Sequence, residues 1–159
     1  MTKAFLPSPI GAILLDGDGL RLSSIRILAI GEAPPAGYHS PPPGSLAADA
    51  ARQFSAYFDK RAMNFDLPLV PAASARGQAL REAIAAIPPG DALSYGALAQ
   101  IAGSGPRAIG QACARNPFPI IIPCHRVIGS AGAIGHYSGG SGITTKRWLL
   151  DHERRGGLL

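Results

Sequence analysis

The pattern of apolar and polar positions divides the chain into two parts. In the first part, an apolar run from Ile10 to Leu15 and a roughly alternating run from Leu20 to Ala29 predict two strands. The Asp-Gly-Asp-Gly sequence that begins at Asp16 predicts the turn between them. Apolar residues then recur at helical spacing from Leu46 to Asp59, and residues 64–69 favour a further short strand. This part is therefore predicted to be a small sheet with one helix.

The second part is predicted to be mainly helical. An apolar stripe predicts a helix that follows Ser74, and a shorter helix is predicted from its N-cap Ser94 to Ala102, with Ile101 among the inward-facing residues. Pro106 then begins another helix at the first position, which proline favours. Two short helices joined by a tight turn indicate a helix-turn-helix that docks on DNA. On this pattern alone, a purely structural helix pair is an equally good interpretation.

The segment with the most chemistry follows Asn116. Ile120 to Ile122 are β-branched and apolar and have a proline on each side, which predicts a short, buried, extended segment rather than a helix. Cys124 comes next, with His125 directly behind it. A cysteine beside such a run is ordinarily an inert buried thiol. A neighbouring histidine changes that interpretation, because a base is needed to produce the reactive thiolate.

Charge and cysteine content narrow the classes of function. Residues 1–73 carry six Lys/Arg and six Asp/Glu, whereas residues 74–159 carry nine and four, so the whole net charge of +5 lies in the second part. This bias is expected of a domain that binds a polyanion, although a solvated basic surface is the simpler explanation of charge alone. The two cysteines are too few for a disulfide framework or a four-ligand zinc site. No metal or other cofactor is expected.

The lack of long apolar runs and the presence of a reactive cysteine are informative about the subcellular location of the protein. No stretch reaches eighteen apolar residues, so no membrane association is expected. A reactive cysteine fits a reducing compartment. The chain is therefore expected to be cytoplasmic, and associated with the nucleoid when it is bound to DNA.

Several motifs together resemble one known family. The segment Pro123-Cys124-His125-Arg126-Val127 is similar to the active-site signature of the O6-alkylguanine-DNA alkyltransferases, also called methylated-DNA–protein-cysteine methyltransferases. The other matching motifs occur in the family's order: Ser94-Tyr95-Gly96, Arg107-Ala108-Ile109-Gly110, Asn116-Pro117, Tyr137-Ser138-Gly139-Gly140, and Lys146 through Glu153. The match is close over residues 90–155 and looser over residues 8–70.

The resemblance implies a fold and a reaction. The expected fold is an α/β N-terminal domain, residues 1–73, with a small ribonuclease H-like sheet, and a mainly α C-terminal domain, residues 74–159, with a winged-helix-like helix-turn-helix. The expected reaction is a direct, irreversible, single-turnover transfer of the O6-alkyl group of guanine in duplex DNA to Cys124, with O4-alkylthymine as a further substrate. The target nucleotide must be flipped out of the duplex first. The expected partner is double-stranded DNA containing O6-alkylguanine, bound by a monomer.

The resemblance also implies roles for individual residues. Cys124 is the nucleophile, His125 the base acting through a bound water, Glu153 the group that orients His125, and Tyr95 a donor toward the base. The residues expected to bind substrate or DNA are Arg107, Ala108, Gly110, Ala112, Ala114, Asn116, Val127, Tyr137 and Ser138. Among them, Arg107 would fill the place of the flipped base in the stack, and the small residues would let their helix approach DNA closely.

Some positions depart from the family pattern. The chain has Arg76 and Arg81 where most relatives have other residues, a shorter helix-turn-helix turn, and an extended loop from Ser141 to Thr145. The alternative function is therefore an alkyltransferase-like protein that binds the lesion with weak or no transfer. A cysteine hydrolase is a third possibility, but adjacent Cys and His have poor geometry for direct proton transfer and no oxyanion motif is evident.

Overall fold

The computed structural model describes residues 1–154 and has a small sheet and several helices, an α/β fold. It consists of two compact units. The N-terminal unit comprises residues 1–70 and 139–141, and the C-terminal unit comprises residues 71–138 and the described residues from 142 onward. The units change between residues 70 and 71, whereas the sequence analysis places the domain boundary after residue 73. No helix in the described part of the chain is long and apolar enough to span a membrane.

The N-terminal unit contains a three-stranded antiparallel sheet in the order β1-β2-β3. Its strands are β1 (Thr2–Leu6), β2 (Ile13–Gly17) and β3 (Leu22–Ile27). The central strand β2 pairs with both neighbours, and its residues Ile13 to Leu15 are fully buried. The sequence pattern predicts β2 and β3 but not β1. The strand predicted at residues 64–69 is wrong, since only an isolated bridge between Leu22 and Leu69 forms there.

Helix α1 (Leu46–Phe58) covers the apolar residues of this unit. The side chain of Ser45 caps it by accepting a hydrogen bond from the Ala48 N–H at 3.1 Å. Phe54 and Tyr57 are buried on its inner face, and the rings of Phe54 and Phe65 lie 4.8 Å apart. The predicted helix is confirmed to within one residue.

The described part of the C-terminal unit holds four α-helices and one short pair of strands. The helices are α2 (Ala75–Ala85), α3 (Tyr95–Ala102), α4 (Pro106–Ala114) and α5 (Ile143–Glu153). The strands β4 (Leu93–Ser94) and β5 (Val127–Ile128) pair in parallel. Helix α2 follows Ser74 as predicted, with the Ser74 side chain as its cap, and Ser94 caps α3 as predicted. Gly103 ends α3 in the left-handed conformation at φ 64°.

The inward face of α3 differs from the prediction. Ile101 is 70% exposed, whereas Leu98 and Ala99 are buried. A helix of eight residues presents only a narrow face, and here that face is centred between Leu98 and Ala99, which turns Ile101 toward the outside. The prediction that Ile101 faces inward is therefore wrong.

Candidate active site

The segment before Cys124 is a buried turn. The Ile122 N–H donates to the Phe118 carbonyl at 2.9 Å, and Ile120 has φ 75°, a strained conformation for a β-branched residue. Ile120 and Ile122 are buried as predicted, but the predicted extended conformation is wrong. The flanking prolines cannot donate to a strand ladder, and the side chain of Asn116 closes the segment into a turn.

Asn116 holds this turn from inside. Its Oδ1 accepts from the Phe118 N–H at 2.9 Å, and its Nδ2 donates to the Ile122 carbonyl at 2.8 Å. The same Nδ2 lies 3.3 Å from Sγ of Cys124. One amide side chain therefore fixes both ends of the turn and contacts the cysteine sulfur.

Cys124 and His125 lie together in a 3-10 turn that spans Cys124–Arg126. Cys124 is 6% exposed and His125 is fully buried. Nε2 of His125 is 2.7 Å from Oε2 of Glu153, which lies on α5 one helical turn beyond Leu149. The chain thus brings together three of the predicted site residues that are up to 29 positions apart in sequence.

Arg126 shares the carboxylate of Glu153. Its Nε and Nη2 donate to Oε1 and Oε2 of Glu153 at 2.8 and 2.9 Å, and its Nη1 donates to the Ile87 carbonyl at 2.6 Å. The guanidinium thus binds the carboxylate with two parallel bonds, the geometry that arginine favours. Glu153 is therefore held from two sides, by His125 and by Arg126.

The protonation states follow from these contacts. Burial alone would raise the pKa of Glu153, but its hydrogen bonds with His125 and Arg126 outweigh burial and hold that pKa well below its usual range. Burial lowers the pKa of His125, despite the opposing effect of Glu153. A neutral His125 that donates from Nε2 to the carboxylate has an acceptor at Nδ1. That Nδ1 is buried and has no hydrogen-bond partner within residues 1–154.

The sulfur of Cys124 is not ionised by its surroundings alone. A hydrogen bond with the Cys113 thiol and burial raise the pKa of Cys124 well above its ordinary value, while Asn116 and Lys146 act in the opposite direction. The thiol form is therefore favoured at rest. A base must remove its proton before it can act as a nucleophile.

Lys146 is a site residue for which the sequence analysis predicts no role. Its side chain is fully buried, and its Nζ donates to the carbonyls of Val127 at 2.6 Å and His136 at 3.2 Å. Its charge favours the thiolate forms of both cysteines. The sequence does contain a pattern that could have indicated this burial, because Lys146, Leu149 and Glu153 are spaced i, i+3 and i+7 and so lie on one face of α5.

Two tyrosines lie near the sulfur. Tyr95 begins α3 and is half-buried, and burial together with the charges of Cys113 and Cys124 raises its pKa. Tyr137 is 8% exposed, burial raises its pKa, and its hydroxyl has no hydrogen-bond partner in the described part of the chain. Ser138, which follows, is exposed.

Within the described residues, no group of three or more His, Cys, Asp or Glu could hold a metal ion.

Comparison with known proteins identifies the family. Residues 76–155 match the family model described as 6-O-methylguanine DNA methyltransferase, DNA binding domain. The methylated-DNA–protein-cysteine methyltransferase of Mycobacterium tuberculosis H37Rv is 39% identical over 151 residues, which cover 94% of this chain and 90% of that protein. The chain belongs to the methylated-DNA–protein-cysteine methyltransferase family. The human protein of the same name is 34% identical over 169 residues, covering 96% of this chain and 80% of its own length.

A solved structure of this methyltransferase family matches the whole fold. The crystal structure of Mycobacterium tuberculosis OGT in complex with DNA has a TM-score of 0.80 and 35% sequence identity. The match covers 97% of this chain and 93% of that one. The family's fold thus extends over both units of the present chain.

The remaining predicted residues of this methyltransferase-family chain lie along α4. Arg107 and Ala114 are exposed, and Ala108, Gly110 and Ala112 are partly exposed. No hydrogen bond joins any of these five to Cys124 among the described residues. A Cβ added at Gly110 would meet no atom within 4 Å, so the packing of this chain does not itself require glycine there.

Proposed function

We propose that this protein repairs DNA by transferring the O6-alkyl group of guanine, and also the O4-alkyl group of thymine, to Sγ of Cys124. One observation carries the proposal: Cys124, the neutral imidazole of His125 and the ionised carboxylate of Glu153 are all buried, and Nδ1 of His125 is available as an acceptor. The names of the relatives, which describe transfer to a protein cysteine, support it. Each molecule reacts once, since a thioether has no easy leaving path.

The first step is removal of the thiol proton. A water molecule between Sγ of Cys124 and Nδ1 of His125 passes the proton to the imidazole. Glu153 stabilises the imidazolium that forms, because its carboxylate stays ionised. Lys146 stabilises the negative charge that develops on sulfur. The thiolate then attacks the alkyl carbon, and the bond from that carbon to O6 breaks.

The leaving group is a guanine anion, which needs hydrogen-bond donors. Tyr95 donates toward the base, and the backbone N–H of Ser138 serves O6. The carbonyls of Cys124 and Val127 accept the guanine amino group. The Val127 carbonyl already accepts from Lys146, but a carbonyl oxygen has a second lone pair. Tyr137 forms a wall of the pocket.

The DNA is bound through the helix-turn-helix of α3 and α4. The target nucleotide is flipped out, at a cost of a few kcal/mol, and Arg107 takes its place in the stack. Ala108, Gly110, Ala112 and Ala114 leave room for α4 to approach the minor groove closely, where little sequence is read. Asn116 couples the end of α4 to the turn that carries the nucleophile.

We also propose the finer features of the organisation. The N-terminal sheet is ribonuclease H-like, the C-terminal unit is winged-helix-like, and residues 1–73 and 74–159 act as scaffold and as DNA-binding and transfer domain. The protein acts as a monomer on double-stranded DNA in the cytoplasm, at the nucleoid.

A mass measurement tests the transfer. The protein is incubated with excess duplex DNA that contains O6-methylguanine, and the peptide with Cys124 is expected to gain one methyl group. A Cys124→Ser variant and a duplex with unmodified guanine are the controls, and neither should give a methylated peptide. Tight binding to the lesion without any methyl uptake by the unaltered protein would reject the proposal and favour the lesion-binding alternative.

A further inference from the structure

A cleft between the start of α2 and α4 carries positive charge that the transfer reaction does not use. It has a volume of about 340 Å³ and lies within the C-terminal unit. Three arginines line it, and no aspartate or glutamate is among the described residues that do so. Its other lining residues are uncharged, and most of them are Ala, Gly or Ser. A concave surface with this charge favours an anion.

The three arginines come from two helices. Arg76 and Arg81 lie on α2, at positions where the chain departs from the family pattern, and Arg115 is the C-cap of α4. Arg76 and Arg115 are exposed. Within residues 1–154, neither of them forms an ion pair with a carboxylate. The described chain therefore does not neutralise these two charges.

Arg76 is held in place by the turn between α3 and α4. Its Nη2 donates to Oγ of Ser104 in that turn at 2.9 Å. A guanidinium has several N–H donors, so this single bond leaves others to bind an anion. The bond also joins α2 to the two helices that are proposed to bind DNA.

Arg81 lies against the segment that leads to the nucleophile. Its guanidinium carbon is over the ring of Phe118, 5.6 Å from the ring centroid. Phe118 is fully buried, and its N–H donates to the side chain of Asn116, which also contacts Sγ of Cys124. The positive charge of Arg81 is thus held in a fixed position by a cation–π contact.

The position of the cleft favours the DNA backbone as the anion. Ala108 and Ala112 of α4 line the cleft, and both are among the residues proposed to let α4 approach the minor groove. A helix at this groove lies close to phosphates, because the groove is only about 6 Å wide. Arginine suits a phosphate, whose oxygens can accept two parallel bonds from one guanidinium.

We propose that this cleft binds one phosphodiester of the DNA backbone. Arg76 and Arg115 donate to the phosphate oxygens, and Arg81 adds a fixed positive charge. The inference rests on the proposed function for the identity of its partner. Because every nucleotide carries the same phosphate, this contact adds affinity and fixes the register of α4 on the duplex without reading sequence.

The salt dependence of DNA binding tests this contact. Dissociation constants of the full-length protein for an unmodified duplex are measured by fluorescence anisotropy between about 50 and 200 mM NaCl. Replacing both Arg76 and Arg115 by glutamine should reduce the slope of log K against log salt by about 0.9, the value for one phosphate. Arg147→Gln is the matched control, since Arg147 is exposed on α5 and does not line the cleft. An unchanged slope in the double variant, or an equal decrease in the control, would overturn the proposal.

Two further variants separate the charge of Arg76 from its bond to Ser104. Ser104→Ala removes the bond but keeps the charge, so the slope should stay near that of the unaltered protein. Arg76→Lys also keeps a positive charge and should retain most of the slope, whereas Arg76→Gln should reduce it. If Ser104→Ala reduces the slope as much as Arg76→Gln does, Arg76 only supports the turn and the proposal fails.

A substrate without phosphate separates this inference from the proposed function. Methyl uptake is measured from duplex DNA below saturation and from the nucleoside O6-methyldeoxyguanosine. The ratio of the first rate to the second should be several-fold lower for the double variant than for the unaltered protein, and equal ratios would contradict the phosphate contact. If the unaltered protein takes up no methyl group from either substrate, the proposed function fails, while the salt dependence still decides whether the cleft binds a phosphate.

Discussion

The two units of the molecule have different kinds of interior. In the N-terminal unit the buried residues are apolar or aromatic, as in the fully buried Leu14 and Tyr57. In the C-terminal unit the interior also contains charged side chains. All the buried polar or charged residues that the structure describes lie in this unit: His125, Arg126, Thr145, Lys146 and Glu153.

The two interiors depend on different interactions, apolar burial in the N-terminal unit and paired buried charges in the C-terminal unit. Apolar burial is non-directional and tolerates a change of side chain if the volume is kept. A buried charge requires each of its partners, because a partner's loss leaves an uncompensated charge in a medium of low polarity. In the C-terminal unit, these buried charges lie beside the thiol of Cys124. The comparison predicts that the units respond differently to matched substitutions.

The largest effect is expected for Glu153→Ala. This change leaves the Arg126 guanidinium buried without its carboxylate, which should lower the free energy of unfolding by about 3–5 kcal/mol, and it should also slow methyl transfer. Urea unfolding measures the first effect and single-turnover kinetics the second. The matched control is Asp151→Ala on the same helix, whose pair with Arg154 is exposed and should contribute less than about 1 kcal/mol. Equal losses in the two variants would remove the distinction between the units.

A loss of similar size but different consequence is expected for Leu14→Ala. Leu14 is fully buried in β2, so the truncation should cost about 2–5 kcal/mol of unfolding free energy through lost burial and a cavity. The transfer rate of the folded protein should stay unchanged, because Leu14 lies in the unit without buried charges. Leu14→Met, which keeps the volume, should cost less than about 1.5 kcal/mol. Slower transfer by folded Leu14→Ala protein would contradict the comparison.

Helices α1 to α4 could be predicted from local sequence. Ser74 and Ser94 cap their helices through side-chain bonds that span three residues, and Gly103 ends α3 through its own backbone freedom. Local signals of this kind are read without knowledge of the fold. The same holds for the cysteine and histidine of the 3-10 turn, since they are neighbours in sequence.

The features that could not be predicted depend on distant partners. Strand β1 is only five residues long and exists because it pairs with β2. The turn at Ile120 depends on Asn116, whose side chain replaces the strand partners that the apolar run would otherwise need. Lys146 carries a periodic signal, but a lysine on an apolar stripe is ordinarily a residue whose stem packs while its charge reaches water. The structure shows instead that the Lys146 ammonium group is buried and donates to the carbonyls of Val127 and His136.

An intermediate effect on transfer is expected for Lys146→Met. The change keeps most of the volume but removes the charge that lowers the pKa of Cys124. Transfer at neutral pH should fall by about tenfold, equivalent to ~1.4 kcal/mol of lost stabilisation. The rise of rate with pH should also shift to higher pH, because more alkaline solution is then needed to ionise the thiol. Arg147→Met, at an exposed neighbouring position on α5, should leave the pH profile of the rate unmoved.

The smallest effects are expected at two helix caps. Ser45→Ala removes the cap of α1 in the N-terminal unit and Ser94→Ala that of α3 in the C-terminal unit, and each should cost about 1 kcal/mol of unfolding free energy. Each side chain accepts one bond from a backbone N–H three residues ahead, and Ser45 also donates to the Pro42 carbonyl at 2.6 Å, so its loss should be the slightly larger one. Ser94 directly precedes Tyr95, so loss of its cap should loosen the position of that hydroxyl and slow transfer, whereas Ser45→Ala should not.

Substitution by threonine separates the cap from the side chain itself. Thr at either position keeps the hydroxyl, so it should restore most of the stability in both units, and at position 94 it should also restore the transfer rate. Unfolding in urea and single-turnover transfer, measured on all four variants, distinguish the two contributions. A Ser45→Ala protein that transfers as slowly as Ser94→Ala would mean that the chemistry depends on the apolar unit as much as on the charged one.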